Sequence, residues 1–380
     1  MTRPARFLVA TWDGGGNTEP AFHLGSRMAR RGHRVRMIGW ESMAARAAAA
    51  GIEFTPYRSV PPWPAGLTLD DGWQDRAEPL LHGAAIRDEI VTQARAFGAG
   101  VLVLDCMLGA GFAAAAALEL PTAVLVHVLY SEFAHGWGDQ LMHTSVADLL
   151  APASQVLALT PPGFDKPTDV PANTEYVGPI CRPAPARPPG TGPGDGLDML
   201  AEPGDPWVLL SLSTTLQQQA GALPRLLEGV TALPVRVLLT LGGVIPPGEV
   251  NAPPGVTVRA FVPHDLVLPH MAAVICHAGL STITSSLAAG VPLVCVPQGR
   301  DQPLNAARVE ASGAGRALPP DASPARVAQV VASVLQDRAA HAAASGFAAA
   351  ISALGAGQYA AERIEGLATD QGTAARPLDR

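Results

Sequence analysis

At 380 residues the chain is long enough for two ordinary domains, and 48% hydrophobic against 16% charged residues excludes a disordered polymer. A net charge of −7 argues against nucleic acid as a partner, because duplex binders carry a basic surface. Cys106, Cys181, Cys276 and Cys295 show no metal-ligand spacing and read as free thiols of a reducing compartment. No apolar run has the length of a signal peptide or a membrane span, so a cytoplasmic protein without membrane contacts is expected.

In chain order, residues 6–11 read as a buried strand, 20–31 as a helix and 34–39 as a second strand. Strands at 101–105 and 122–127 flank an alanine-rich helix at 111–120, and a strand at 156–160 closes the series. Strands alternating with helices predict parallel βαβ units, whose ligands bind at the carboxyl ends of the strands. Residues 181–206 are crowded with proline and glycine, which hold neither a helix nor a central strand. Residues 183–206 are therefore read as an interdomain linker between a first domain at 1–182 and a second at 207–357. The alternation restarts with strands at 207–212, 235–241, 256–260, 273–276 and 293–296, and helices at 224–231, 281–289, 304–312 and 324–336. The expected fold class is α/β: two Rossmann-like βαβ domains facing a central cleft.

The most informative segment runs from residue 273 to 305, AVICHAGLSTITSSLAAGVPLVCVPQGRDQPLN. A strand turns sharply at His277-Ala278-Gly279 and enters a helix whose first turn carries Ser281 and Thr282. Unpaired N–H groups at a helix start attract anions, and Gly279 admits a phosphate close to the backbone. Ser281 and Thr282 add hydroxyl donors, and His277 adds a ring donor, or a charge if protonated. A diphosphate leaving group needs such a fixed positive field. Read alone, the same residues also fit an ordinary N-capped helix. Asp301 and Gln302, beyond the next strand, have the acceptors and donors to hold sugar hydroxyls, though they too fit a helix start.

This segment resembles the donor-binding signature of the plant and antibiotic-type UDP-glycosyltransferase superfamily: strand, HxGxxT, helix, GVP, strand, DQ. The resemblance implies a GT-B fold, diphosphate contacts from His277, Gly279, Ser281 and Thr282, and sugar contacts from Asp301 and Gln302. Phe261-Val262-Pro263-His264 resembles the family's nucleobase segment, with Val262 contacting through its backbone, and residues 211–214 resemble its SxGT loop, with Thr214 near the phosphate. Ser213 stands where glycine is usual, and Leu280 and Ser281 depart from the HxGxGT form. The resemblance also suggests that a last helix at 358–367 packs back on the first domain, followed by a tail to residue 380.

The first half departs from the family pattern. There the catalytic base stands three residues before a proline in the loop after the first strand. Here that position, before Pro20, is Asn17, whose amide takes no proton at neutral pH. Asp105 matches the acid that orients the base. Three readings stay open: His127 or Asp13 acts as base, the acceptor needs little base help, or the protein binds sugars without transferring them. Trp12, Trp63, Trp73, Trp137 and His143 lie in irregular segments and are candidate lining for a large apolar acceptor, or ordinary packing.

The expected activity is inverting glycosyl transfer from a UDP- or dTDP-linked sugar to an apolar small molecule, such as a natural-product aglycone. No DxD motif or ligand cluster calls for a metal, and the nucleotide sugar is a cosubstrate with no further cofactor expected. The alternatives are a sugar-nucleotide epimerase and a non-catalytic GT-B partner protein.

Overall fold

A computed structural model describes residues 4–14, 16–62, 78–134, 145–167, 169–180, 197–212, 219–242 and 245–369. The chain divides into two compact units, residues 1–181 with 354–380, and residues 182–353. Most of the proline-rich stretch, residues 181–196, lies outside the described residues; 197–206 holds a 3-10 turn at Asp198–Ala201.

The first unit is built on a seven-stranded sheet: β1 Arg6–Ala10, β2 Arg34–Gly39, β3 Glu53–Pro56, β4 Val101–Asp105, β5 Thr122–Val126, β6 Gln155–Ala158 and β7 Thr174–Tyr176. All pairings are parallel, in the order β3-β2-β1-β4-β5-β6-β7. The sheet therefore continues past β6, where the sequence reading ended it, and gains β3 and β7 at its edges. Those two strands are only part-buried and carry Glu53, Thr55, Thr174 and Glu175, so they lack the apolar run that betrays a central strand.

Central strands are apolar along both faces because helices cover both. Leu8, Leu102, Leu104 and Val124 meet Ile86, Ile90 and Ala94 of the helix Ala84–Phe97. Phe7, Val9, Val103 and Leu125 meet Leu24 and Met28 of the helix Thr18–Arg30 and Ile364 of the helix Gln358–Thr369. Each such aliphatic side chain contributes about 1.5–3 kcal/mol on burial.

The last helix is tied down by charge as well. Arg31 Nε and Nη2 donate to the two carboxylate oxygens of buried Glu365 at 2.5 and 2.8 Å, and His33 Nε2 lies 3.2 Å from Oε1. Tyr359 donates to Glu175 at 2.8 Å. The chain thus returns to its first unit after completing the second.

The second unit has six parallel strands: β8 Trp207–Ser211, β9 Arg236–Thr240, β10 Val256–Arg259, β11 Met271–Cys276, β12 Leu293–Cys295 and β13 Gly315–Ala317. Their order is β10-β9-β8-β11-β12-β13. Helices Gln219–Thr231 and Pro324–Gln336 pack on one face, burying Leu226, Val230, Val327 and Val331 against Leu210, Leu239 and Ile275. In each sheet the strand order reverses once beside the first strand, between β1 and β4 and between β8 and β11. A ligand crevice opens at the carboxyl ends of strands at such a point.

Candidate functional site

In the first unit, the strand ends at the reversal deliver Thr11, Trp12, Asp105 and, from β5, His127. Asp105 is 3% exposed and its carboxylate accepts five hydrogen bonds. Oδ2 takes Thr11 Oγ1 at 3.0 Å and Asn17 Nδ2 at 3.0 Å. Oδ1 takes Trp12 Nε1 at 3.1 Å, the Met107 N–H at 3.0 Å and His127 Nε2 at 2.9 Å. Burial alone would raise the carboxyl pKa, but the charge and hydrogen bond of His127, with the bonds from Asn17 and Met107, outweigh it and hold the pKa below its ordinary value. Burial likewise would lower His127, but the Asp105 carboxylate outweighs it and the imidazole is held well above its ordinary value. Asp105 and His127 thus form a buried ion pair at neutral pH.

That pairing alters the expectation for His127. A ring that keeps its proton is not a general base until the pH rises. Asp13, the other candidate, is turned to Ser42, whose Oγ donates to it at 2.5 Å, and to Arg46 at 3.7 Å. Trp12 is 5% exposed, with its indole N–H spent on Asp105, so it is a structural neighbour of the cluster more than a free acceptor surface. Trp63, Trp73, Trp137 and His143 lie outside the described residues. The ligand-type atoms of Asp105, Cys106 and His127 lie within 4.8 Å of one another. Asp105 already accepts five donors, so a cation there would have to displace several of them.

Asn17 occupies the N-cap of the helix Thr18–Arg30, yet its side chain makes no cap hydrogen bond. Its Nδ2 instead donates to the Trp12 carbonyl and to Asp105, both at 3.0 Å. Those two acceptors fix which end of the amide is nitrogen. Oδ1 is buried without a hydrogen-bond partner.

In the second unit, β11 ends at Cys276, paired in register with Ser211 of β8. The chain then turns through Ala278, whose φ of 66° is in the left-handed region, an uncommon conformation for a residue with a side chain. Gly279 follows as N-cap of the helix Leu280–Ala288 and offers no side-chain cap, so the first N–H groups are left for a ligand. A Cβ at Gly279 would lie 2.4 Å from His277 Nε2, so only glycine fits beneath the ring. Burial, with the cation of Arg300, pushes His277 down to about 4, against a backbone hydrogen bond with Ser211 that raises it. His277 is therefore a neutral N–H donor near neutral pH and carries no charge there. Ser281 is exposed on the first turn and Thr282 is 9% exposed.

Asp301 is the N-cap of the helix Gln302–Ala311. Its Oδ2 accepts from Asn305 Nδ2 at 2.7 Å, and the same Nδ2 donates to the Ala278 carbonyl at 3.0 Å. One buried amide thereby ties the proposed sugar side to the phosphate turn. Gln302 is 2% exposed and its Oε1 accepts from the Gln298 N–H at 2.7 Å. Val262 is buried, whereas its neighbour Phe261 is 63% exposed. Thr214 lies outside the described residues. Sequence reasoning passed over Asn305 and Arg300, and in the nucleobase-like segment it singled out Val262 and not the exposed ring of Phe261. Asn305 closes the quoted segment and Arg300 precedes Asp301, but neither role is visible before the turn is folded.

Comparisons with known proteins agree with this architecture. Residues 210–367 match the family model described as Erythromycin biosynthesis protein CIII-like, C-terminal domain. The chain is 26% identical to 4'-demethylrebeccamycin synthase of Lentzea aerocolonigenes, over 82% of this chain and 87% of that one. It is 32% identical to demethyllactenocin mycarosyltransferase of Streptomyces fradiae, over 44% of this chain and 36% of that one. The crystal structure of the calicheamicin glycosyltransferase CalG4 superposes with a TM-score of 0.78 at 24% identity, covering 98% of this chain and all of the other. The chain is thus similar to antibiotic glycosyltransferases over most of its length and shares the two-domain fold of CalG4, and its residues 210–367 resemble the C-terminal domain of the erythromycin biosynthesis protein CIII.

Proposed function

We propose that the protein transfers a sugar, with inversion, from a UDP- or dTDP-linked donor to an apolar small-molecule acceptor of the natural-product aglycone class. The observation that carries this is the turn at His277–Thr282: a left-handed alanine, a glycine under an imidazole, and an uncapped helix start at the reversal point of a parallel sheet. The N–H groups of this turn and the hydroxyls of Ser281 and Thr282 hold the diphosphate, with neutral His277 as a further donor. Thr214 belongs to the same subsite by its place in the SxGT-like loop. Asp301 and the Gln302 amide hold the sugar hydroxyls. The exposed face of Phe261 beside Val262 suits a nucleobase stacked on it. Asp105 and His127 order the acceptor side.

Charge on the departing diphosphate is met by fixed dipoles and by the cation of Arg300, so the reaction needs neither a metal nor another cofactor. The names of the relatives support an acceptor among antibiotic precursors. A specific feature, the amide at position 17, favours a second reading, in which the chain binds nucleotide sugar but needs a catalytic partner. The full chain incubated with dTDP-glucose or UDP-glucose and a panel of aromatic and macrolide aglycones decides between them by mass spectrometry. Acceptor-dependent glycoside formation supports transfer. Nucleotide binding without any product supports the second reading.

A further inference from the structure

The proposed base position holds a side chain that cannot be a base, yet it is built into the site with care. Asn17 sits at a helix start, where an asparagine normally turns its oxygen to the free N–H groups of the first turn. Here it does not cap. Its nitrogen is fully spent on Trp12 O and Asp105, and its oxygen is left without a partner in a residue only 9% exposed. A buried carbonyl without a partner is costly to the fold, a cost that a ligand donor removes on binding. The oxygen is roofed by Gly14: a Cβ there would lie 2.7 Å from Oδ1 and 2.4 Å from the Trp12 ring. Gly14 thus covers the oxygen with no side chain to obstruct an entering group.

Resting on the glycosyl-transfer reading above, we propose that Asn17 Oδ1 receives an N–H of the acceptor and that the acceptor nucleophile is an uncharged amine nitrogen. A hydroxyl nucleophile must lose its proton as it attacks, and this cluster has no ready base for it. Asn17 is an amide, Asp105 is saturated by five donors, and His127 already carries the proton that pairs with Asp105. An amine needs no base before attack. Its lone pair forms the bond to the anomeric carbon while the bond from that carbon to the diphosphate oxygen breaks, the electron pair leaving with the diphosphate. The nitrogen becomes cationic, its N–H bonds strengthen as donors, and one proton then passes to solvent. Oδ1 accepts from that N–H throughout. The Asp105 carboxylate behind Nδ2 polarises the amide, so Oδ1 is most negative where the positive charge develops.

The test compares 3,4-dichloroaniline with 3,4-dichlorophenol as acceptors of the full chain, using dTDP-glucose and UDP-glucose, near neutral pH. The aniline is expected to exceed the phenol at least about tenfold in kcat/KM, with a rate that is flat across the His titration range. Asn17→Ala should lower kcat for the aniline by about 10- to 100-fold with little change in donor KM and should lower the aniline-to-phenol ratio of kcat/KM, a ratio that a loss of folded protein would leave unchanged. Asn17→His, which replaces the accepting oxygen by an imidazole beside Asp105, should lose the preference for the aniline, with any phenol transfer it gains rising with pH as the ring loses its proton. Equal or preferred use of the phenol by the parent chain would overturn the inference, and so would failure to use either acceptor by a chain that binds dTDP or UDP calorimetrically. Failure to bind either nucleotide would instead bring down the glycosyl-transfer reading itself.

Discussion

Replacing His277 by alanine removes the ring that covers Gly279 and, on the proposed reading, one N–H donor to the diphosphate. Burial, helped by the Arg300 cation, holds that ring neutral, with its pKa at about 4. It therefore acts through a neutral hydrogen bond, comparable to one donor of an oxyanion site. Loss of such a donor costs roughly 2–4 kcal/mol of transition-state stabilisation, or about 30- to 1,000-fold in kcat/KM. His277→Gln keeps an N–H donor and should recover part of that loss. The sign of the pH effect is decisive. A ring with an ordinary pKa near about 6.5 would gain charge on mild acidification and bind dTDP more tightly. A ring at about 4 stays neutral across that range, so the His277 contribution should be flat from about pH 5.5 to about pH 9. Isothermal titration with dTDP over this range, for the parent and both variants, provides the measurement. Affinity that rises through pH 6.5 in the parent and not in His277→Gln would refute the neutral-donor reasoning.

Stability should also depend on pH through the Asp105–His127 pair. Asp105, with a lowered pKa, contributes stability above the ordinary carboxylate range, lost as pH falls through its lowered value. His127, with a raised pKa, contributes fully below about 6.5 and loses its contribution as pH rises through its raised value. Urea midpoints measured across pH should show His127→Gln flattening the alkaline limb and Asp105→Asn the acid limb; unchanged limbs would contradict the pairing. Glu365→Gln should cost about 1–3 kcal/mol, less than a fully buried pair because Arg31 is 34% exposed, and should expose the last helix to limited proteolysis; a parent-like cleavage pattern would count against the anchor. Gly229→Ala should destabilise by about 1–3 kcal/mol, since its Cβ would lie 2.6 Å from both the Pro324 carbonyl oxygen and Val327 Cβ. Gly346→Ala, exposed in a helix interior with nothing within 4 Å, should instead stabilise by about 0.5–1 kcal/mol, and thermal melts that rank the two the other way would show the packing to be misread.

The central strands were legible because helices cover both faces of each sheet, leaving continuous apolar runs such as VLVLD and TAVLV. Edge strands β3 and β7 were not, because a part-buried edge carries charged residues. The helices Ala84–Phe97 and Arg338–Ala353 were also passed over; the second is so rich in alanine that its buried face, Ala340, Ala344 and Ile351, is hard to tell from its exposed one. At the site, the phosphate turn could be read from residue types at fixed spacing. The ion pairing of His127 could not, since it depends on how many donors converge on Asp105 from three separate strand ends. Nor could the orphaned oxygen of Asn17, because an asparagine before a helix reads first as a cap. Among the described residues no single helix is long and apolar enough to cross a membrane.

The central claim is that the uncapped helix start after His277 receives the donor diphosphate. A crystal structure of the chain grown with dTDP tests it most directly. The account predicts the diphosphate oxygens against the Gly279–Thr282 N–H groups and the His277 ring, with thymine over Phe261. Diphosphate seated instead at the glycine run Gly14–Gly16 of the first unit, with the His277 turn empty, would contradict it.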